Sequence, residues 1–428
     1  MKTLSKVTAL ALLISLGGAV YSAPTLAKAD PAKIEERKKR KTKVMGERTG
    51  KKVVKAFDVY NGDQEKGIEG DVPAALQMMK EISPSDEFDR AQVNYYMAQM
   101  SYQLEKFDDA IRLAKAAAKP DVLNFKDQAT VMKLIADLQR QEKQYKEARE
   151  SYYAWMDFTG EEDAKVYLAI AATYYETKEY KNIIAPADRA IELSKKEPIK
   201  NAYDLKVGAY VELKQFNNAI KTSEEQVKIW PTEYKLWTRL ASFYMTVEDY
   251  KKGLAAAKVA ERNGALETAN HFKFLASLYS LNEMPYQAGV TLEKAVKAKK
   301  VKKDKSTVST LGAYFHNAKH YEKAAKLYVE AADYDNDSEL YRKAGSMLVT
   351  SEDYALAVQN LKKALELGNN KKGQIYLDLA EAYLQQEKYK LAYQNVQKAV
   401  DYPQTKKFAK SWSQYIKDKG LSADEEIC

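Results

Sequence analysis

Cysteine is nearly absent from this 428-residue chain: one residue, Cys428, at the last position. A single thiol excludes an internal disulfide framework, so the fold must rest on packing. Cys428 reads as an inert thiol on a frayed tail. Glycine (17) and proline (10) are also sparse, and 45% of the residues are hydrophobic, which excludes a collagen-like or wholly disordered chain. Histidine occurs only as His271, His316 and His320, with no HExxH or CxxC spacing, so no metal site is expected. Gly-rich phosphate loops and GxSxG elbows are missing, and the acid pairs Glu161-Glu162 and Glu224-Glu225 look like solvated helix surface. The expectation is no catalysis and no cofactor.

The longest apolar run, Val7 to Val20, is too short for the roughly 20 residues that span a bilayer. Lys2 and Lys6 precede it, and small residues follow with cleavage patterns ending at Ala27 or Ala29, which reads as a secretory signal peptide over residues 1–27. The expected location is the far side of the inner membrane, as a soluble protein.

Net positive charge is concentrated in one place. Between Lys28 and Lys55 stand twelve Lys/Arg against Asp30, Glu35, Glu36 and Glu47, and this accounts for most of the formal +9. With Lys2 and Lys6 discounted, residues 56–428 are close to neutral. The expectation is a basic flexible arm over 28–52, centred on Arg37, Lys38, Lys39, Arg40 and Lys41, that is largely a solvated spacer. An electrostatic contact with a membrane surface or an acidic protein is the second reading. No aromatic residue occurs in the arm before Phe57, so it lacks the stacking platforms of a single-stranded nucleic acid site.

What is plentiful is tyrosine, 31 residues against 4 Trp, and it recurs in register. A small residue returns at Ala98, Ala136, Ala171, Val207, Ala241, Ala276, Gly312, Gly345 and Ala380, at intervals of 38, 35, 36, 34, 35, 36, 33 and 35. A second series keeps step from Ala110 and Ala148 to Ala357 and Ala392, and apolar residues fall at three- and four-residue spacing around both. Each unit therefore reads as two amphipathic helices whose small residues allow close approach, with tyrosines such as Tyr174, Tyr210, Tyr244, Tyr279 and Tyr383 filling the gap to the next unit.

These units, exemplified by Trp237-x2-Leu240-Ala241-x2-Tyr244 with Tyr250, Gly253, Ala257 and Ala260, resemble the tetratricopeptide repeat. The resemblance implies an all-α, right-handed superhelical solenoid of nine to ten helix-turn-helix units over residues 53–402, with 53–82 as a degenerate unit. Residues 403–428, including Phe408, Trp412, Tyr415 and Ile416, are expected to form a capping helix and tail. Pro186 inside a second helix predicts an irregular third unit. The 38-residue first interval predicts a longer connection near Lys119 to Lys126.

The family resemblance implies protein binding on a concave wall lined by the first helices, with Tyr95, Tyr102, Leu168, Tyr175, Ser242, Met245, Ser277 and Leu384 as the candidate groove. The positions just after the small residue carry no Asn set, so a clamp for a C-terminal carboxylate is not expected. The exported leader, the arm Arg37-Lys38-Lys39-Arg40-Lys41-Thr42 and the Val53 to Tyr60 helix ahead of the repeats are similar to the periplasmic tetratricopeptide proteins associated with accessory TonB systems. That similarity implies a non-catalytic helper of TonB–ExbB–ExbD energy transduction. A general envelope or cell-wall scaffold is the alternative, and an RNA-binding helical repeat is disfavoured by the leader and the neutral repeat body.

Overall fold

The computed structural model describes residues 30–63, 65, 66 and 68–421. The predicted leader and Cys428 lie outside them. The chain divides into two compact units after Thr222, each considered by itself. The first holds α1 (Pro31–Lys38), α2 (Glu47–Asn61), α3 (Val72–Lys80), α4 (Glu87–Gln103), α5 (Phe107–Ala118), α6 (Phe125–Gln141), α7 (Tyr145–Thr159), α8 (Ala164–Glu176), α9 (Tyr180–Leu193) and α10 (Lys200–Glu212). Helix α11 (Phe216–Ile229) runs through the division. The second holds α12 (Tyr234–Thr246), α13 (Tyr250–Arg262), α14 (Ala269–Leu281), α15 (Pro285–Lys297), α16 (Lys305–Asn317), α17 (Tyr321–Ala332), α18 (Ser338–Thr350), α19 (Tyr354–Glu366), α20 (Lys372–Leu384), α21 (Tyr389–Val400) and α22 (Lys406–Leu421).

Even-numbered helices from α4 to α20 are the first helices of nine hairpins, and the small residues sit where hairpins close. Ala98, Ala136, Ala171, Ala241, Ala276 and Ala380 have no exposed surface. A Cβ at Gly345 would stand 2.5 Å from Cγ of Leu361, and one at Gly312 would stand 2.9 Å from the Tyr328 ring. Tyrosine fills the remaining space: Tyr152 and Tyr341 are fully enclosed, and Tyr244 and Tyr383 are buried. Tyr174 and Tyr210 are half-buried, with Arg149 over the first ring at 4.2 Å and Lys206 over the second at 5.9 Å.

The hairpin turns share one device that the composition hides. Seven residues after each small residue, Glu105, Lys143, Lys178, Lys214, Glu248, Glu283, Lys319, Glu352 and Glu387 adopt φ between 56° and 66°. The next residue donates its N–H to the carbonyl five residues back, at 2.7–3.0 Å in all nine turns, as in Glu179 to Tyr174 and Asp249 to Tyr244. This closes the helix end in the Schellman manner, a position where glycine is the unstrained choice. Glu248→Gly is therefore expected to stabilise the chain by up to about 1 kcal/mol, read as a higher denaturation midpoint, and destabilisation would contradict the strain.

Two expectations need revision. The 38-residue interval does not come from a long connection: α5 and α6 are joined by residues 119–124, the same length as 263–268 between α13 and α14. The added residues form an extra N-terminal turn on α6, which has 17 residues where α14 has 13, and α4 is likewise 17 residues long. Pro186 leaves α9 continuous from Tyr180 to Leu193; the carbonyl it deprives of a partner belongs to Asn182, which is exposed to water. In α22 the buried hydrophobic side chains are Ala409 and Ile416, while Phe408 and Tyr415 face out. That helix packs on α21.

The arm is the largest departure. Asp30 caps α1, accepting from the Ala32 N–H at 3.0 Å, and Pro31 takes a first-turn position where no N–H is needed. Arg37 donates to the carbonyls of Asp157 and Phe158 at 3.0 Å each, supplying partners at the C-terminus of α7, and lies 4.8 Å from the Phe158 ring centroid. Arg40 pairs with both carboxylate oxygens of Asp121, at 2.5 and 2.7 Å. Ile34 fills the space a side chain at Gly160 would need, its Cδ1 lying 2.4 Å from that Cβ position. Further on, the Gly46 N–H donates to Asp89 at 3.2 Å. From Asp30 on, the arm is thus ordered and docked, and what was expected to be its last residues, from Glu47, already belong to α2 of the extra hairpin α2/α3, whose inner face buries Val53, Ala56, Ala75 and Met79.

The anchors explain the long helices. Asp89 stands in the added first turn of α4, and Phe125 opens the added turn of α6, where it stacks on Phe158 at 5.5 Å. The arm's contacts thus fall on the first turn of α4 and on Asp121 and Phe158, which lie beside the first turn of α6.

Candidate partner-binding grooves

First helices of neighbouring hairpins touch, α8 with α10 in the first unit and α18 with α20 in the second, and the α8/α10 pair forms an open concavity. In the first unit one concavity is lined by Leu168, Ala172, Tyr175 and Gly208, flanked by Arg140 and Lys165 and, on the α10 side, by Asp204. Tyr175 is 40% exposed, its ring centroid 5.9 Å from that of Tyr180 in an edge-on arrangement, and Gly208 leaves its face open. The Arg140 guanidinium is steadied from below, its Nε donating to the Tyr152 hydroxyl at 3.4 Å while that hydroxyl donates to Asp137 at 2.6 Å. Burial, first, and the Asp137 carboxylate push the Tyr152 hydroxyl far above its ordinary range, so it stays a donor.

The second unit has a concavity between α12 and α14, with Lys235, Thr238, Ser242, Asn270 and His271 on its wall. Farther along, Ser346 and Gln374 donate to Asp378, whose carboxyl is nevertheless pushed up by burial, and neighbouring Glu381 is raised by burial and by Asp378. Glu339 goes the other way, down to about 2, because Arg342, Lys371 and Asn369 all donate to it.

The candidate residues do not all converge. Leu168 and Tyr175 share the first-unit concavity, and Ser242 lines the second-unit one. Tyr102 is exposed but lies against Phe107, and Met245, Ser277 and Leu384 are partly buried outside those two linings. Tyr95 is a correction: it is only 8% exposed and belongs to the core. The added turn of α6 brings Asp127 beside it, and burial foremost, with that carboxylate, raises its hydroxyl.

The position six residues before each small residue was missed. It supplies Lys165 and Asn201 to one wall, Lys235 and Asn270 to the other, and is polar in every unit from Gln92 to Gln374. The helical period that placed Leu168 and Ala172 on one face extends one turn back to it, so the signal was present. Lys and Asn do stand on the walls, two turns before the positions where the sequence shows none.

Hairpin after hairpin repeats the same small residues, the same left-handed turn residue and the same inward face. The chain is an all-α repeat protein. No family model matches it, and no curated protein does. Solved structures do match. YrrB, described as a TPR protein with an unusual peptide-binding site, is 16% identical over 45% of this chain and 97% of its own, with a TM-score of 0.36. A tetratricopeptide repeat protein from Parabacteroides merdae is 13% identical over 68% and 98%, with a TM-score of 0.36. The TPR2AB domain of yeast Sti1, in its pHSP90 complex, is 18% identical over 60% and 99%, with a TM-score of 0.34.

Proposed function

We propose that this all-α repeat protein is a non-catalytic, tetratricopeptide-type module that captures a segment of another protein in the first-unit concavity. The observation that carries this reading is the pairing of an accessible apolar floor, Leu168, Ala172 and Tyr175, with the flanking cations Arg140 and Lys165. Such a site takes an amphipathic helix or extended segment, its apolar side chains on the floor and an acidic group toward the cations. Exposed aromatic surface beside small residues admits an occupant without repacking.

The leader pattern and basic arm support a periplasmic setting, and the layout supports an accessory role in TonB-dependent energy transduction for outer-membrane uptake, with a TonB–ExbB–ExbD-type complex as partner. Crosslinking in the envelope from a photoreactive residue at Tyr175, followed by mass spectrometry, tests it. TonB components are the expected catch; cell-wall synthases instead would turn the reading toward an assembly scaffold. Tyr175→Glu places a charge on the floor and is expected to weaken partner capture at least tenfold with the helical circular dichroism unchanged. Undiminished capture would remove the groove from the account.

A further inference from the structure

Docking of the arm turns a dense positive charge into a surface of fixed shape. Its middle is pinned at both ends, by Arg40 on Asp121 and by the Gly46 N–H on Asp89. Between those pins Lys41 and Lys43 are exposed, and Val44 follows them, 93% exposed. The following helix continues the pattern. Arg48, Lys51, Lys52 and Lys55 recur at three- and four-residue spacing and form one exposed stripe of α2, while Val53 and Ala56 on the other side are buried in the α2/α3 hairpin. Only Lys51 of these four has an ion pair given by the structure, an exposed one with Glu47 at 2.7 Å, which is worth little in water.

We propose that this stripe, with the pinned Lys41–Val44 segment, is a docking surface for an anionic lipid bilayer. The chemistry of the surface selects the partner. Five of the six cations are lysines, compact charges suited to diffuse phosphate head groups; a folded acidic protein is held better by the planar fork of arginine. The aromatics of α2 are turned inward, Phe57 against Tyr96 at 5.0 Å and the Tyr60 hydroxyl on Gln103 at 2.8 Å, so nucleic acid bases find no stacking face. What is exposed among the cations is aliphatic, Val44 and Val54, which fits shallow contact with the acyl boundary. No helix among the described residues is long and apolar enough to cross a membrane, so the contact is peripheral. Charge attraction of this kind accumulates with each cation near the surface and fades within a Debye length.

The test uses the chain from Asp30 to Cys428, which holds every described element and omits the apolar leader. Its co-sedimentation is measured with vesicles of phosphatidylcholine alone and of phosphatidylcholine containing one-third phosphatidylglycerol, at low and high salt, and its affinity for a homopolymeric RNA is measured alongside. Binding is expected only to the anionic vesicles and to weaken with salt. The variant Arg48→Gln, Lys51→Gln, Lys52→Gln, Lys55→Gln keeps good helix formers at exposed positions and is expected to lose about 100-fold in vesicle partitioning. Circular dichroism and capture of the groove partner should not change, since none of the four lies in the groove; this separates failure here from failure of the groove reading. Equal binding to neutral vesicles, an unaffected four-Gln variant, or tighter binding to RNA than to the anionic vesicles would each overturn the proposal.

Discussion

Tyr152→Ala is expected to destabilise the first unit by about 3–5 kcal/mol, the range for emptying a large aromatic site in a core that cannot collapse around it. Tyr152 has no exposed surface and stands among Ala136, Ala148, Trp155, Met156 and Ile170, side chains contributed by three consecutive helices. Because neighbouring hairpins supply each other's core, the loss should not stay in α7: hydrogen exchange should accelerate across α6 and α8 as well. Tyr152→Phe separates volume from hydrogen bonding. It keeps the ring, removes the donor to Asp137 and the support beneath Arg140, and is expected to cost about 1 kcal/mol. A change below 1 kcal/mol for the alanine variant, measured by denaturant unfolding, would show that the ring is not a keystone of the hairpin interfaces.

The second large effect has two signs at chemically identical substitutions. Gly345 and Gly208 both sit inside first helices, α18 and α10. At Gly345 a Cβ would meet the Leu361 side chain at 2.5 and 2.7 Å and its backbone nitrogen at 3.3 Å, so Gly345→Ala drives α18 and α19 apart and is expected to destabilise by about 1–3 kcal/mol. At Gly208 the nearest atom is Cε2 of Tyr175 at 3.5 Å, an ordinary contact, so Gly208→Ala is expected to stabilise by about 1 kcal/mol through helix propensity alone. Thermal unfolding of the two variants reads the contrast. The same sign for both would mean that close helix approach is not what selects the small residue.

That contrast shows what could be read from the residues. The small-residue register repeats over nine units, and it located every hairpin from α4 to α21, because steric exclusion at the helix crossing acts on one position in each unit. The α2/α3 hairpin was also visible as a degenerate unit, though its start was placed at Val53 and lies at Glu47. The docked arm was not visible. Arg37 reaches residues about 120 positions away and Arg40 one 81 away, and nothing local in Arg37-Lys38-Lys39-Arg40-Lys41 distinguishes a docked cation from a solvated one. The misplacement of Tyr95 has the same origin. Its position in the unit is a groove position elsewhere, as at Leu168, but the lengthened α6 covers it. Sequence spacing recorded the extra residues without saying whether they would form loop or helix.

One turn of helix therefore has an outsized role. If α6 were trimmed to the length of its counterparts, Phe158 would lose its stacked neighbour and the guanidinium of Arg37 much of its seat, and the leading helix would swing as a tether. The break in the period decides whether the cationic segment is carried at a set angle on the body or trails from it.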